Sequence, residues 1–291
     1  MSLIASIDFL KEELNKEKKK GHLIGLVPTM GYLHEGHLSL IRRAKQENDI
    51  VVVSIFVNPT QFAPNEDFES YPRDIERDYE MAREAGADII FNPSVQEMYP
   101  QGASTFVIVE GDITQKLCGG SRPTHFKGVT TVVAMLLNLI LPDFAYFGQK
   151  DAQQAIVLKK MARDLHIATK LVVCPIVREN DGLALSSRNV YLNEIERNQA
   201  LILSRTLFEA QARVNEGEIN VEELKRFMIS NISTMDLAEI DYVEILDEGT
   251  LDNIEIIEKK ALAAVAVRFG KTRLIDNVIL KRGELYVTDN V

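Results

Sequence analysis

Residues 28–37, PTMGYLHEGH, put two imidazoles three residues apart, His34 and His37, among two glycines, Gly31 and Gly36. A helical pattern follows from about His37 to Glu47. Both rings would therefore stand at a helix mouth, where free backbone N–H groups and the positive end of the dipole favour anions. Such a mouth suits a polyphosphate whose charge grows as a leaving group departs. The glycine spacing is that of a phosphate-binding loop. However, His37 and Leu38 occupy the places where a P-loop needs lysine and a magnesium-binding hydroxyl, so it is not one. The bland alternatives are a solvated loop and a zinc pair, and HxxH without a carboxylate third ligand makes a poor zinc site, so no protein-held metal is expected.

Four further segments carry usable chemistry. In FGQKDAQQ, residues 147–154, Gly148 permits close backbone approach to a ligand and Lys150 offers an ammonium to phosphate. Asp151 can cap the next helix or accept hydrogen bonds from a ribose. In LSSR, Leu185, Ser186, Ser187 and Arg188 form a clamp for phosphate oxygens or a merely polar linker. Asn58, Gln61 and Gln154 are neutral amides that can bind hydroxyls and carboxylates without adding charge, although Asn58-Pro59 could be a simple turn. In GGSRPTHFKGV, residues 119–129, Arg122, His125 and Lys127 form a cationic cluster that could be a lid, a surface loop or a device for steering an anion. Residues 71–74, YPRD, read as the start of a helix.

The elements between these segments say how they would be brought together. Ile7, Leu10 and Leu14 predict a helix capped by Ser6. LIGLVP, IVVVSIFVN, ADIIF, TFVIV, FAYF and LVVCPIV read as short apolar strands. Helices are predicted over 74–85, 130–141 and 151–165. Continuous apolar strands alternating with helices imply a parallel sheet covered on both faces. Residues 1–176 thus read as one doubly wound, Rossmann-like α/β domain. Residues 194–217 and 221–234 read as two helices, followed by IDYVEIL, ALAAVAVRFG and TRLIDNVIL as successive antiparallel strands. Residues 177–291 are therefore expected to form a smaller α+β domain that closes over the site, with a hinge near 177–189. Ligands of open α/β sheets bind beyond the carboxyl ends of the strands, where four polar segments fall: TMGYLHEGH, NPTQF, FGQKD and RENDGLALSSR.

Bulk properties set the frame. A chain of 291 residues lies near the roughly 250–300 residues at which a single core stops growing, so two domains are expected. The net charge of −10 argues against nucleic acid or an anionic membrane as partner. The two cysteines, Cys118 and Cys174, form no disulfide framework. The N-terminus lacks the apolar core of a signal peptide, and no apolar run approaches the roughly 20 residues of a membrane span. A cytoplasmic protein is the expectation.

The first motif resembles the HIGH-type signature of nucleotidyltransferases. Taken in order, PTMGYLHEGH, SIFVNPTQF, GGSRPTHFKGV, FGQKDAQQ and LSSRN resemble the pantoate–β-alanine ligase family. The resemblance implies a two-step reaction. Pantoate attacks the α-phosphorus of Mg·ATP to give an adenylate and pyrophosphate, and the amine of β-alanine then displaces AMP. It implies catalytic roles for His34, His37 and Lys150, with His37 as proton donor. It implies nucleotide contacts from Met30, Gly31, Gly148, Asp151, Val177 and Leu185, and phosphate contacts from Ser186, Ser187 and Arg188. Gln61 and Gln154 would hold pantoate, and Gln61 with Asn58 would meet β-alanine. Magnesium would arrive with ATP, no organic cofactor is implied, and the assembly would be a homodimer. A nucleotidylyltransferase that stops after moving AMP onto a phosphate is the rival reading, and a non-catalytic nucleotide sensor is another. The neutral pair Gln61 and Gln154 favours a hydroxy acid over a phosphorylated acceptor.

Overall fold

The computed structural model describes residues 1–63, 66 and 68–282; residues 283–291, part of the expected C-terminal domain, lie outside the described residues. The first compact unit comprises Met1–Arg178 with Leu185–Ser187. It runs β1 (Ser2–Ile4), α1 (Ile7–Lys19), β2 (Ile24–Thr29), α2 (Glu35–Glu47), β3 (Ile50–Ile55), α3 (Ile75–Ala85), β4 (Ile89–Phe91), α4 (Val95–Met98), α5 (Cys118–Ser121), α6 (His125–Ile140), β5 (Phe144–Gly148), α7 (Ala152–Asp164) and β6 (Lys170–Cys174). All six strands pair in parallel in the order β1-β4-β3-β2-β5-β6. Alternate residues along β2 and β3 feed two separate cores. Leu26 and Val52 pack with α1, α6 and α7, while Val27, Val51 and Val53 pack with α2 and α3. That division explains why these strands read as unbroken apolar runs.

From β2 the chain winds outward through β3 to β4, then returns to the far side of β2 as β5. The sheet therefore reverses its winding between β2 and β5, and the loops leaving those two strands diverge to open a crevice at their carboxyl ends.

Ser6 caps α1 as expected, accepting from the Phe9 N–H. TFVIV is a correction: residues 105–109 form no strand. The Val107 N–H donates to Thr131 Oγ1 at 3.0 Å and its carbonyl accepts from Thr130 Oγ1 at 2.5 Å. Two threonines on α6 thus satisfy the backbone groups that a neighbouring strand would have taken. The same helix begins at His125, earlier than its apolar run suggested.

The second compact unit comprises Glu179–Ala184 and Arg188–Val291. Its described part runs α8 (Glu194–Ala200), α9 (Ile202–Asn215), α10 (Val221–Ile232), β7 (Ala238–Asp247), β8 (Lys260–Phe269) and β9 (Thr272–Lys281). The strands form an antiparallel sheet, β7-β8-β9. Ala261, Ala263, Val265, Val267 and Phe269 alternate along β8 onto the face packed by α9 and α10. The single helix expected over 194–217 is interrupted at Leu201, giving α8 and α9.

Candidate active site

The loop after β2 is built from both sides. Gly31 has φ +87°, and Tyr32 follows with φ +50°. At Gly31 an added Cβ would lie 2.9 Å from Asp78 Oδ2 and 2.9 Å from Ile55 Cγ2, so both conformation and space exclude a side chain there. The Asp78 carboxylate, buried on α3, accepts from the Tyr32 N–H at 2.6 Å and the Leu33 N–H at 2.7 Å. Arg77 Nη2 donates to the Leu33 carbonyl at 2.9 Å. Thr29 Oγ1 donates to the Ser54 carbonyl and accepts from the Gly31 N–H, which ties the loop to β3.

So gripped, the loop delivers His34 as the N-cap of α2. His34 Nδ1 accepts from the Gly36 N–H at 3.1 Å, and His37 Nδ1 accepts from the His34 N–H at 3.3 Å. The rings lie 4.1 Å apart, centroid to centroid. A neutral imidazole has one donor and one acceptor nitrogen. With both Nδ1 atoms accepting, each ring carries its proton on Nε2. Burial, with Lys150 second, pushes His34 down to about 4. Burial, then His34, then Lys150, hold His37 well below its ordinary 6.5. In the free protein both rings are therefore neutral near pH 7. His37 offers an N–H hydrogen bond rather than a stored extra proton.

Lys150 and Asp151 lie in the one-turn helix Gln149–Asp151 after β5, and both act electrostatically on His34. The loops on either side of the winding reversal thus meet. Gly148 ends β5 with open space where a Cβ would stand. Asp151 occupies the N-cap position of α7, but its side chain makes no capping bond, which corrects the capping reading. Gln154 is half-buried on the first turn of α7 and makes no side-chain hydrogen bond among the described residues. Its neighbour Gln153 is committed to structure, bonding the Ile113 and Lys116 carbonyls and the Cys118 N–H.

After β3 comes the short turn Pro59–Gln61. Asn58 Nδ2 donates to Gln61 Oε1 at 3.3 Å and to the Gly128 carbonyl at 3.1 Å. Asn58 Oδ1 accepts from Tyr99 Oη at 2.9 Å and from both the N–H and the hydroxyl of Thr60. This buried amide is thus fully engaged in holding its surroundings. Gln61 Nε2 donates to Met30 Sδ at 2.9 Å, which joins the amide turn to the imidazole loop. Beside Met30 and Gly31 opens a cavity of about 410 Å³, walled by Ile55, Phe56, Phe68 and Val95 and edged by Arg73 and Asp78.

The LSSR run is divided between the two units, with Leu185–Ser187 in the first and Arg188 in the second. In the first unit, the Leu185 N–H donates to the Val177 carbonyl at 3.0 Å and Leu185 Cβ lies against Gly36. Ser187 Oγ lies 3.4 Å from Tyr71 Oη. The structure thus gathers Met30, Gly31, His34, His37, Asn58, Gln61, Lys150 and Asp151 through direct bonds or electrostatic coupling, and ties Leu185 and Val177 to one another. Sequence reasoning missed Asp78, Thr29, Tyr99 and Gly128. Asp78 had a legible signal, because it shares a helical stripe with the buried Ala82 and Ala85, and an acid on such a stripe must be satisfied by something.

Among the described residues no group of three His, Cys, Asp or Glu side chains could hold a metal, and no helix is long and apolar enough to cross a membrane. Cys118 and Cys174 are free thiols, half-buried and buried.

The family model described as Pantoate-beta-alanine ligase matches residues 2–279. A pantothenate synthetase of Acetivibrio thermocellus is 56% identical over 281 residues, covering 97% of this chain and 100% of that protein. One from Thermotoga petrophila is 55% identical over 280 residues, covering 96% and 100%. The crystal structure of pantothenate synthetase from Thermus thermophilus superposes with a TM-score of 0.91 at 45% identity, covering 96% of this chain and 99% of that one. A pantoate-beta-alanine ligase from Francisella tularensis, complexed with beta-gamma ATP and beta-alanine, gives 0.78 at 38% identity, covering 96% and 97%.

Proposed function

The chain belongs to the pantoate–β-alanine ligase family, and we propose that it performs this ligation with the imidazole loop and Lys150 on the phosphates of ATP and the amide turn on the acid. The enzyme condenses pantoate with β-alanine to pantothenate, converting ATP to AMP and pyrophosphate. The observation that carries the residue assignment is the meeting of two uncharged Nε2–H donors with one ammonium at the β2–β5 reversal, beside Gln61.

In the first step a pantoate carboxylate oxygen bonds to the α-phosphorus while the bond from that phosphorus to the β-bridging oxygen breaks. The electron pair leaves with pyrophosphate. Positioning and charge stabilisation are what such a transfer requires. Lys150 supplies the full positive charge, and His34 and His37 supply oriented N–H dipoles that lose no hydration when the charge arrives. Bound triphosphate favours the charged imidazole and so opposes the depressed pKa values. Gln61 and Gln154 hold pantoate with neutral amides, which avoids pairing its carboxylate with a cation and blunting its attack. In the second step the β-alanine amine bonds to the acyl carbon and AMP leaves with the electron pair of the anhydride bond.

Met30 and Gly31 line the nucleotide, Gly148 and Asp151 meet its ribose, and Val177 and Leu185 flank its base. Ser186, Ser187 and Arg188 hold phosphate on the strength of the LSSR motif. Asn58 serves the β-alanine end by holding Gln61. Magnesium comes with ATP, as expected of an ion held chiefly by phosphates and water. The protein acts in the cytoplasm as a homodimer.

The test is exchange of labelled pyrophosphate into ATP. Exchange should require pantoate, and AMP should appear only when β-alanine is added. Exchange that ignores pantoate would remove the ligase reading of this site.

A further inference from the structure

We propose that His125 is a positioning residue for Gln61, and that Arg122 selects the tautomer in which it works. This rests on the reading of Gln61 as an acid-binding amide. The turn carrying Gln61 is weakly held by itself, because its own backbone bonds are long, 3.4 Å from the Gln61 N–H to the Asn58 carbonyl and 3.3 Å from the Phe62 N–H to the Pro59 carbonyl. The bracing comes from the start of α6. His125 Nδ1 stands 3.0 Å from the Gln61 carbonyl, and Arg122 Nη2 stands 3.3 Å from the same oxygen.

The chemistry of the partners leaves one arrangement. A carbonyl only accepts, so His125 Nδ1 must carry a proton. A guanidinium only donates, so His125 Nε2, 3.2 Å from Arg122 Nη1, must be bare. Arg122 is in turn held by Glu66, with Nε to Oε1 at 2.6 Å and Nη2 to Oε2 at 2.5 Å. Burial first, and the Arg122 charge second, push His125 down to about 4, which agrees with a neutral ring.

Contact completes the brace. At Gly128 an added Cβ would come within 2.4 Å of the Thr60 carbonyl oxygen and 2.5 Å of Gln61 N and Cα, so the turn lies directly on α6. The Gln61 side chain then leaves toward Met30 Sδ. Charges that would suit anion capture are consumed inside the protein, and their product is a fixed location for one neutral amide.

The test uses the full chain and pantoate-dependent exchange, with KM for pantoate, KM for ATP and kcat measured separately. His125→Phe keeps a ring and removes both nitrogens. It should raise the pantoate KM about tenfold, because a buried carbonyl loses its donor and the amide shifts, while the ATP KM stays unchanged. His125→Asn, whose Nδ2 stands near the place of the imidazole Nδ1, should recover most of that loss. Arg122→Met frees the tautomer and should raise the pantoate KM in the same direction, and it decides the question if His125→Phe does not fold. A wild-type pantoate KM in His125→Phe or, failing its folding, in Arg122→Met overturns the proposal, as does a parallel rise in both KM values without recovery by His125→Asn. Wild-type enzyme whose exchange ignores pantoate would overturn the reading of the site instead.

Discussion

The loops after β2 and β3 leave adjacent strands that end in register at Thr29 and Ile55, yet they are held in opposite ways. The imidazole loop is gripped chiefly by an acceptor, the Asp78 carboxylate taking two backbone N–H groups, with Arg77 donating to the Leu33 carbonyl beside it. The amide turn is gripped by donors, His125 and Arg122 on one backbone carbonyl. In both, the charged groups stand behind the backbone, which leaves neutral dipoles for the proposed substrates. The difference follows from what each loop presents. A loop with N–H groups turned away from regular structure needs an anion behind it, and a turn with a stranded carbonyl needs a hydrogen-bond donor. Charge used in this way fixes position without pre-empting the charge of the substrate.

Three measurements would break or sharpen this contrast. The largest effect is expected at Lys150, the proposed phosphate-binding cation that acts on both imidazoles. Lys150→Ala should raise the adenylation barrier by about 3 kcal/mol, the cost of losing one preorganised charge-stabilising contact. Single-turnover adenylate formation at the wild-type rate would show that the neutral front suffices. Next, Asp78→Ala strands two backbone donors and should cost about 2–3 kcal/mol in urea unfolding while depressing exchange. Unchanged stability would mean that the loop holds itself.

The smallest effect is in pH dependence. His34 and His125 are held at about 4, and His37 well below 6.5, whereas in the unfolded chain each returns to about 6.5. Below that value the unfolded chain binds protons that the folded chain refuses. Stability present above pH 6.5 should therefore fall as pH drops toward 4, by about 1 kcal/mol per pH unit for each of His34 and His125, with His37 acting in the same direction. Substituting His34 or His125 should each flatten that slope by a similar amount, and substituting His37 should flatten it further. A slope indifferent to all three substitutions would assign acid sensitivity to other groups.

Much of the architecture was legible because it rests on local pattern. The apolar runs that became β2 to β6, and the stripes that became α1, α2 and α3, are period signals that burial on one or two faces imposes. TFVIV shows the limit. Its alternation is real, and Val107 and Val109 do pack on the core, but backbone partners from α6 replaced a strand. Arg122 and His125 show another. Their charge was visible, and whether it faced solvent, a substrate or a backbone carbonyl was not.

Residue order alone determined the presence of the imidazole, amide, lysine and serine–arginine motifs, the parallel winding and the family likeness, since these are properties of neighbours along the chain. Tertiary structure alone decided that the winding reverses between β2 and β5, that Asp78 seizes the Tyr32 and Leu33 amides from 46 and 45 residues away, and that His34 and His37 are neutral. The physical reason is that desolvation and hydrogen-bond partnership depend on what folding brings alongside a group, and no spacing along the chain records that.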